Sequence, residues 1–248
     1  MKVLIPLPRK DFDPSEVVIP WSILRTGGQI VFATPDGVRS VPDRHTLTGE
    51  GLGILTPVLR ADKRIQHALK EMMDTHYFHH PITYEEALNS EFDGIILPGG
   101  HAGGIKEYLD SEILQKIISN HMEKRRPIGA ICQAVLLLAR SKGSKSVSVI
   151  HNKKVTALPK IAEKITNKLI NKSFVKDFKS PIKSSIEDEV KSVLENEKQQ
   201  FSPGPPLLVK DSLSRLWAGH VVRDENLVTA RWAGDAHRFA MEFKEMLL

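Results

Sequence analysis

Short apolar runs alternate with stretches of helical periodicity along most of the chain. An apolar run bounded by turn residues reads as a buried strand, and apolar positions recurring every three or four residues read as an amphipathic helix. On this basis strands are predicted over residues 3–7, 29–33, 94–97, 128–131 and 227–230. Helices are predicted over 16–26, ended by Gly27-Gly28, and over 105–124, ended before Pro127. Two more are predicted over 133–141, ended by Gly143, and over 236–247. Strand followed by helix, repeated, predicts an α/β protein with a mostly parallel, doubly wound sheet between two layers of helices.

Residues 159–205 break this rhythm. Ile161, Ile165 and Leu169 recur every four residues beside Lys160, Lys164, Lys168 and Lys172, the pattern of an amphipathic helix with a lysine-rich shoulder. A second helical stretch over 186–195 precedes the turn cluster Ser202-Pro203-Gly204-Pro205-Pro206. The expectation is one domain over 1–248 with a helical insertion at about 159–205, which could act as a lid, an oligomer contact or plain surface.

The 248 residues and 41% hydrophobic content suffice for one sizeable core. A single cysteine rules out an intrachain disulfide, which fits a reducing compartment. No secretory leader pattern and no run of the roughly 20 apolar residues needed to span a bilayer is visible, so a cytoplasmic protein without membrane contact is expected. The net charge of +5 comes largely from lysines between Lys153 and Lys198. No aromatic and arginine cluster accompanies them, so a solvated face is expected there and no nucleic-acid partner.

Three segments could carry chemistry. In Ala130-Ile131-Cys132-Gln133-Ala134 the cysteine falls between a short strand and a helix, with small residues two before and two after it. That is the layout of a nucleophile elbow, and the following helix would aim N–H groups at the sulfur and lower its pKa. The competing reading is a small buried hydrophobe. The second segment, Leu97-Pro98-Gly99-Gly100-His101-Ala102-Gly103-Gly104, opens a strand into a glycine-rich loop whose backbone N–H groups could hold an oxyanion. It lacks the spacing and lysine of a phosphate loop, so no nucleotide cofactor is expected. The third is Glu16-Val17-Val18-Ile19-Pro20, where Glu16 by itself reads as a helix N-terminal charge. His76, His79, His80 and Asp74 cluster locally, but without a second cluster they read as an exposed loop and no metal site.

Taken together these segments resemble the DJ-1/PfpI superfamily, whose flavodoxin-like sandwich is shared with class I glutamine amidotransferases. Glu16 with Val17-Val18-Ile19-Pro20 is similar to the Glu-x-x-Ile-Pro segment, Leu97 to Gly100 to the LPGG loop, and Ala130-Ile131-Cys132 to the AIC elbow. Thr229-Ala230-Arg231-Trp232-Ala233-Gly234 is similar to the closing S/T-x-R-x-x-G segment. The resemblance implies Cys132 as nucleophile, Glu16 as a protonated acid steadying the thiolate, the N–H groups of Gly100 and Gln133 as the oxyanion site, and Arg231 lining the pocket. It implies no cofactor, a small carbonyl or amide substrate, and glyoxalase III-like or amidase-like activity, with a non-catalytic cysteine redox sensor as the alternative; a homodimer is left open.

Two departures bear on the base. The histidine that follows the family's AIC cysteine is Gln133 here, and the stretch similar to the VT-x-His-Pro segment reads Val155-Thr156-Ala157-Leu158-Pro159. His101, which follows Gly100 directly, is the best substitute; His151 and His237 are weaker candidates. The amidotransferase triad is excluded, because neither His220 nor His237 begins a His-x-Glu pair.

Overall fold

The computed structural model describes residues 1–170, 184–207 and 209–248. Lys172 and the centre of the insertion at 171–183 therefore lie outside the described residues. Nine strands form among those described: β1 Lys2–Pro6, β2 Lys10–Phe12, β3 Gln29–Thr34, β4 Val41–Pro42, β5 Ile82–Thr83, β6 Gly94–Leu97, β7 Ile128–Ile131, β8 Val221–Asp224 and β9 Leu227–Ala230. Seven of them make one sheet in the order β5-β3-β1-β6-β7-β9-β8, parallel except where β8 runs against β9. This is the α/β flavodoxin-like sandwich expected from the alternation of elements.

The central strands read as continuous apolar runs because both faces of the sheet are covered. Val3, Leu4, Ile5, Ile96, Leu97, Ile128 and Ile131 all have 0% exposure. Helices Pro14–Leu24, Lys63–Met73 and Ala236–Met246 pack side by side, and Tyr84–Leu88, Glu112–Glu123 and Val135–Arg140 form a second group. The last helix of the chain lies very close to the sheet. A Cβ at Gly129 would stand 2.7 Å from the Phe239 ring, and one at Gly94 would stand 2.7 Å from Phe243.

Several boundaries differ from the sequence expectation for local reasons. The first helix starts at Pro14, two residues early, because Asp13 caps it by accepting from the N–H groups of Ser15 at 2.8 Å and Glu16 at 3.2 Å. The stretch expected as one helix over 105–124 is two, Ile105–Leu109 and Glu112–Glu123, since Ser111 is extended and caps the second. Strands β2, β4, β5 and β8 have two to four residues and no apolar run to announce them.

The insertion contributes helices Lys160–Ile170, Ile186–Ser192 and Glu197–Gln200. Ile186 and Val190 are fully buried in the main core, and Arg140 grips Glu189 through Nε–Oε1 at 2.6 Å and Nη2–Oε2 at 3.0 Å. The insertion is thus stitched to the sandwich by both packing and charge. No helix among the described residues is long and apolar enough to cross a membrane.

Candidate active site

Successive strands leave β1 in opposite directions, toward β3 on one side and β6 and β7 on the other, so a crevice opens at the carboxyl ends of β1, β6 and β7. Three connections meet there: the start of helix Pro14–Leu24, the glycine-rich loop after β6, and the turn after β7. Cys132 sits on that last turn with φ of 60°. Left-handed backbone costs a non-glycine residue of order 1–3 kcal/mol and persists only where surrounding structure enforces it. Here Ile131 is still extended and Cys132–Ala134 is already a helical turn, so the chain reverses its geometry within one residue.

Gly99 is the floor on which the site is assembled. Its N–H donates to Glu16 Oε2 at 2.8 Å, and its carbonyl accepts from Asp13 N–H at 3.1 Å. A Cβ at Gly99 would fall 2.9 Å from Glu16 Oε2, 3.1 Å from Cys132 Cβ and 3.1 Å from the Gln133 nitrogen, so only glycine lets the three segments touch. Gly100 packs as tightly on the Asp11 carbonyl, 2.4 Å from where its Cβ would be, and Gly104 N–H donates to Asp11 Oδ2 at 2.8 Å. The loop is therefore pinned at both ends, and this sets the position of His101. His101 Nε2 lies 3.8 Å from Cys132 Sγ, within hydrogen-bonding reach for sulfur.

Burial dominates the electrostatics. Glu16 is fully enclosed, and burial, helped by the nearby negative charge of Asp13, pushes its carboxyl well above the usual carboxylate range against the hydrogen bond from Gly99. Asp13 itself is pushed up to about 6 by burial and by Asp43. His101 is pushed down to about 4 by burial, so its ring is neutral at pH 7 and able to accept a proton. The Cys132 thiol is pushed up, first by burial, then by Glu16 and Asp13, with the Gln133 N–H opposing. This differs from the lowered thiol pKa expected from the elbow. The backbone donor is present, but it belongs to a single turn leading into a six-residue helix, Val135–Arg140, and cannot outweigh removal from water.

Of the residues singled out in the sequence, Cys132, Glu16, His101, Gly100 and Gln133 come together. The Gln133 side chain is fully buried, and neither its oxygen nor its nitrogen has a hydrogen-bond partner among the described residues. Arg231 stands behind the cavity wall and does not itself line it: its side chain is 2% exposed, paired with Asp235 at 2.8 and 2.9 Å, and donates to the carbonyls of Pro203 and Pro205, which do line it. Its role there is to tie the Pro-rich turn to the end of the sheet. His151 and His237 are also engaged elsewhere, with the Val193 carbonyl and Asp211. His76 and His79 are exposed as expected, but on a short helix, His76–His79, and no cluster of three or more potential metal ligands exists among the described residues.

Asp13 is the member of the site that the sequence did not single out, and Gly99 figured there only as part of the glycine-rich loop. Asp13 was detectable as a helix cap before Pro14; the role of Gly99 depends on three segments meeting. Above the site lies a cavity of about 510 Å³ with Asp13 and His101 on its wall. Cys132 itself is 0% exposed.

The chain matches the profile of the ThiJ/PfpI family-like group over residues 7–205. No curated protein sequence matches it. Similar solved structures include the Francisella tularensis Rapid Encystment Protein of 24 kDa, at 20% identity and TM-score 0.70, covering 100% of this chain and 99% of that one. Glyoxalase III from Candida albicans matches at 16% identity and TM-score 0.66, covering 99% and 97% of the two chains. Drosophila melanogaster DJ-1beta matches at 17% identity and TM-score 0.56, covering 99% and 89%. At these identities the likeness is one of fold.

Proposed function

The chain belongs to the ThiJ/PfpI-like family of the DJ-1/PfpI superfamily, and from that premise and the geometry around Cys132 we propose a cysteine-dependent enzyme acting on small, reactive carbonyl compounds, 2-oxoaldehydes above all. The observation that carries the reading is the 3.8 Å approach of a neutral His101 ring to the Cys132 sulfur. A base replaces the histidines absent after Cys132 and at Leu158, and it comes from the loop after β6.

The resting pair is thiol and neutral imidazole, because transfer of the proton from a raised thiol to a depressed imidazole is uphill. Attack therefore couples proton loss to formation of the S–C bond, which favours a strongly electrophilic aldehyde over an amide. The thiol adds across the aldehyde C=O, and its proton passes through His101 to the carbonyl oxygen, giving a hemithioacetal. The Gln133 N–H, which opposes the rise in the Cys132 thiol pKa, would stabilise charge on that oxygen as it develops. His101, neutral again, can take the proton from the former aldehyde carbon and deliver it to the oxygen of the adjacent carbonyl, giving an enediol, and then carry the first carbon's hydroxyl proton to the second carbon. The first carbon is thereby oxidised and the second reduced, leaving a thioester that water hydrolyses to a 2-hydroxy acid and free thiol. Glu16 stays protonated throughout and holds Gly99, and with it the loop, against the elbow. That one structural relative is named a glyoxalase III agrees with this reading.

The test is lactate formation from methylglyoxal without added thiol. The wild-type protein is expected to turn over and Cys132→Ser to lose that activity; equal rates in both would exclude cysteine catalysis.

A further inference from the structure

The cavity above the site is unlike a pocket for a two- or three-carbon substrate. It measures about 510 Å³, in the range of sites for ligands of drug size. Among the described residues its polar side chains are Asp13, His101, Thr166 and Trp232; the rest of the wall is aliphatic or proline. The polarity is uneven. Asp13 and His101 belong to the end nearest Cys132, while Leu55, Val58, Leu59 and the insertion residues Ile161 and Ile165 form apolar wall. Ile161 and Ile165 are 70% and 52% exposed, an unusual state for two isoleucines that line the same cavity.

Resting on the reading of the site as a 2-oxoaldehyde enzyme, we propose that its substrates carry a sizeable apolar substituent, an alkyl chain or an aromatic ring, seated in the cavity formed with the insertion. The reactive carbonyl sits at the His101 end, and the substituent covers Ile161 and Ile165. Each added methylene removed from water contributes about 0.8 kcal/mol, roughly a fourfold gain in kcat/KM per methylene until the cavity is filled.

The experiment compares methylglyoxal, propylglyoxal, hexylglyoxal and phenylglyoxal with the wild-type protein and with Ile165→Asp. A second arm measures binding of octan-2-one, which lacks the aldehyde, to Cys132→Ser by calorimetry. The expected result is kcat/KM rising steeply from methyl to hexyl, and a hexyl-to-methyl ratio that falls at least tenfold in Ile165→Asp. A flat or falling series with methylglyoxal still consumed overturns the proposal and leaves the enzyme reading standing. If no 2-oxoaldehyde is consumed, the enzyme reading fails, and octan-2-one decides the cavity: binding weakened by adding Ile165→Asp upholds an apolar ligand, and no binding overturns it.

Discussion

Replacing His101 by asparagine tests the assignment most directly, because it removes the ring nitrogen 3.8 Å from Cys132 Sγ while keeping a side chain of similar polarity. A positioned general base contributes about 10²- to 10⁴-fold, so kcat/KM at pH 7 should fall at least about 100-fold, equivalent to about 2.7 kcal/mol of barrier. The pH dependence gives a second, independent readout. His101 sits at about 4 in the folded protein, so the acid limb of the wild-type profile should fall near pH 4, where the ring becomes charged and can no longer accept the thiol proton. The variant should lack that limb.

Linkage supplies the third readout. In the unfolded chain a histidine titrates near 6.5, so between 6.5 and about 4 the unfolded state binds a proton that the folded state refuses, and stability is lost as pH falls. At pH 4.5 that loss is about 2–3 kcal/mol for His101. His121, lowered to about 4 mainly by burial, adds the same sign of dependence in both proteins. Urea unfolding at pH 7 and 4.5 should therefore show the variant losing about 2–3 kcal/mol less than wild type. Turnover within threefold of wild type, or an unchanged acid dependence of stability, would refute the placement of His101 as a buried neutral base.

Gly99→Ala should cost about 1–3 kcal/mol of stability and most of the activity, since its methyl would press on Glu16, Cys132 and Gln133 at once; a fully active variant would mean the three segments are not held that closely. Arg231→Leu leaves Asp235 buried without its cation and should destabilise by about 3–5 kcal/mol in urea unfolding, whereas a change below about 1 kcal/mol would show the pair to be dispensable. At pH 7 the Cys132 thiol should react with peroxide or iodoacetamide more slowly than free cysteine, because the thiolate is the reactive form and burial suppresses it. Selective addition of two oxygens at Cys132 by dilute peroxide, read by mass spectrometry, would instead favour the redox-sensor alternative.

The main strands and their parallel arrangement were legible because each is an apolar run of its own, from Val3-Leu4-Ile5 to Ile128 and Ile131, and burial on both faces leaves that mark in any central parallel strand. The elbow was legible for the same local reason: a left-handed Cys132 needs small residues around it, and Ala130 and Ala134 stand two before and two after it. Short edge pieces such as Ile82–Thr83 carry too few residues for any period to show. Neither could the sequence place Arg231 against Asp235 and the Pro-rich turn rather than in the pocket, because that choice depends on which carbonyls the turn presents.

What the sequence by itself determined is therefore the scaffold and the position of the candidate elbow at Cys132, both written in contiguous residues. The tertiary structure alone decided which groups surround Cys132. The distance from His101 to Cys132 joins residues 31 positions apart, and it exists only because Asp11, Asp13 and Glu16 pin the loop from another strand and helix. The protonation of Cys132, Glu16 and His101 depends on how completely the fold takes them out of water, a property of volume that no local pattern encodes.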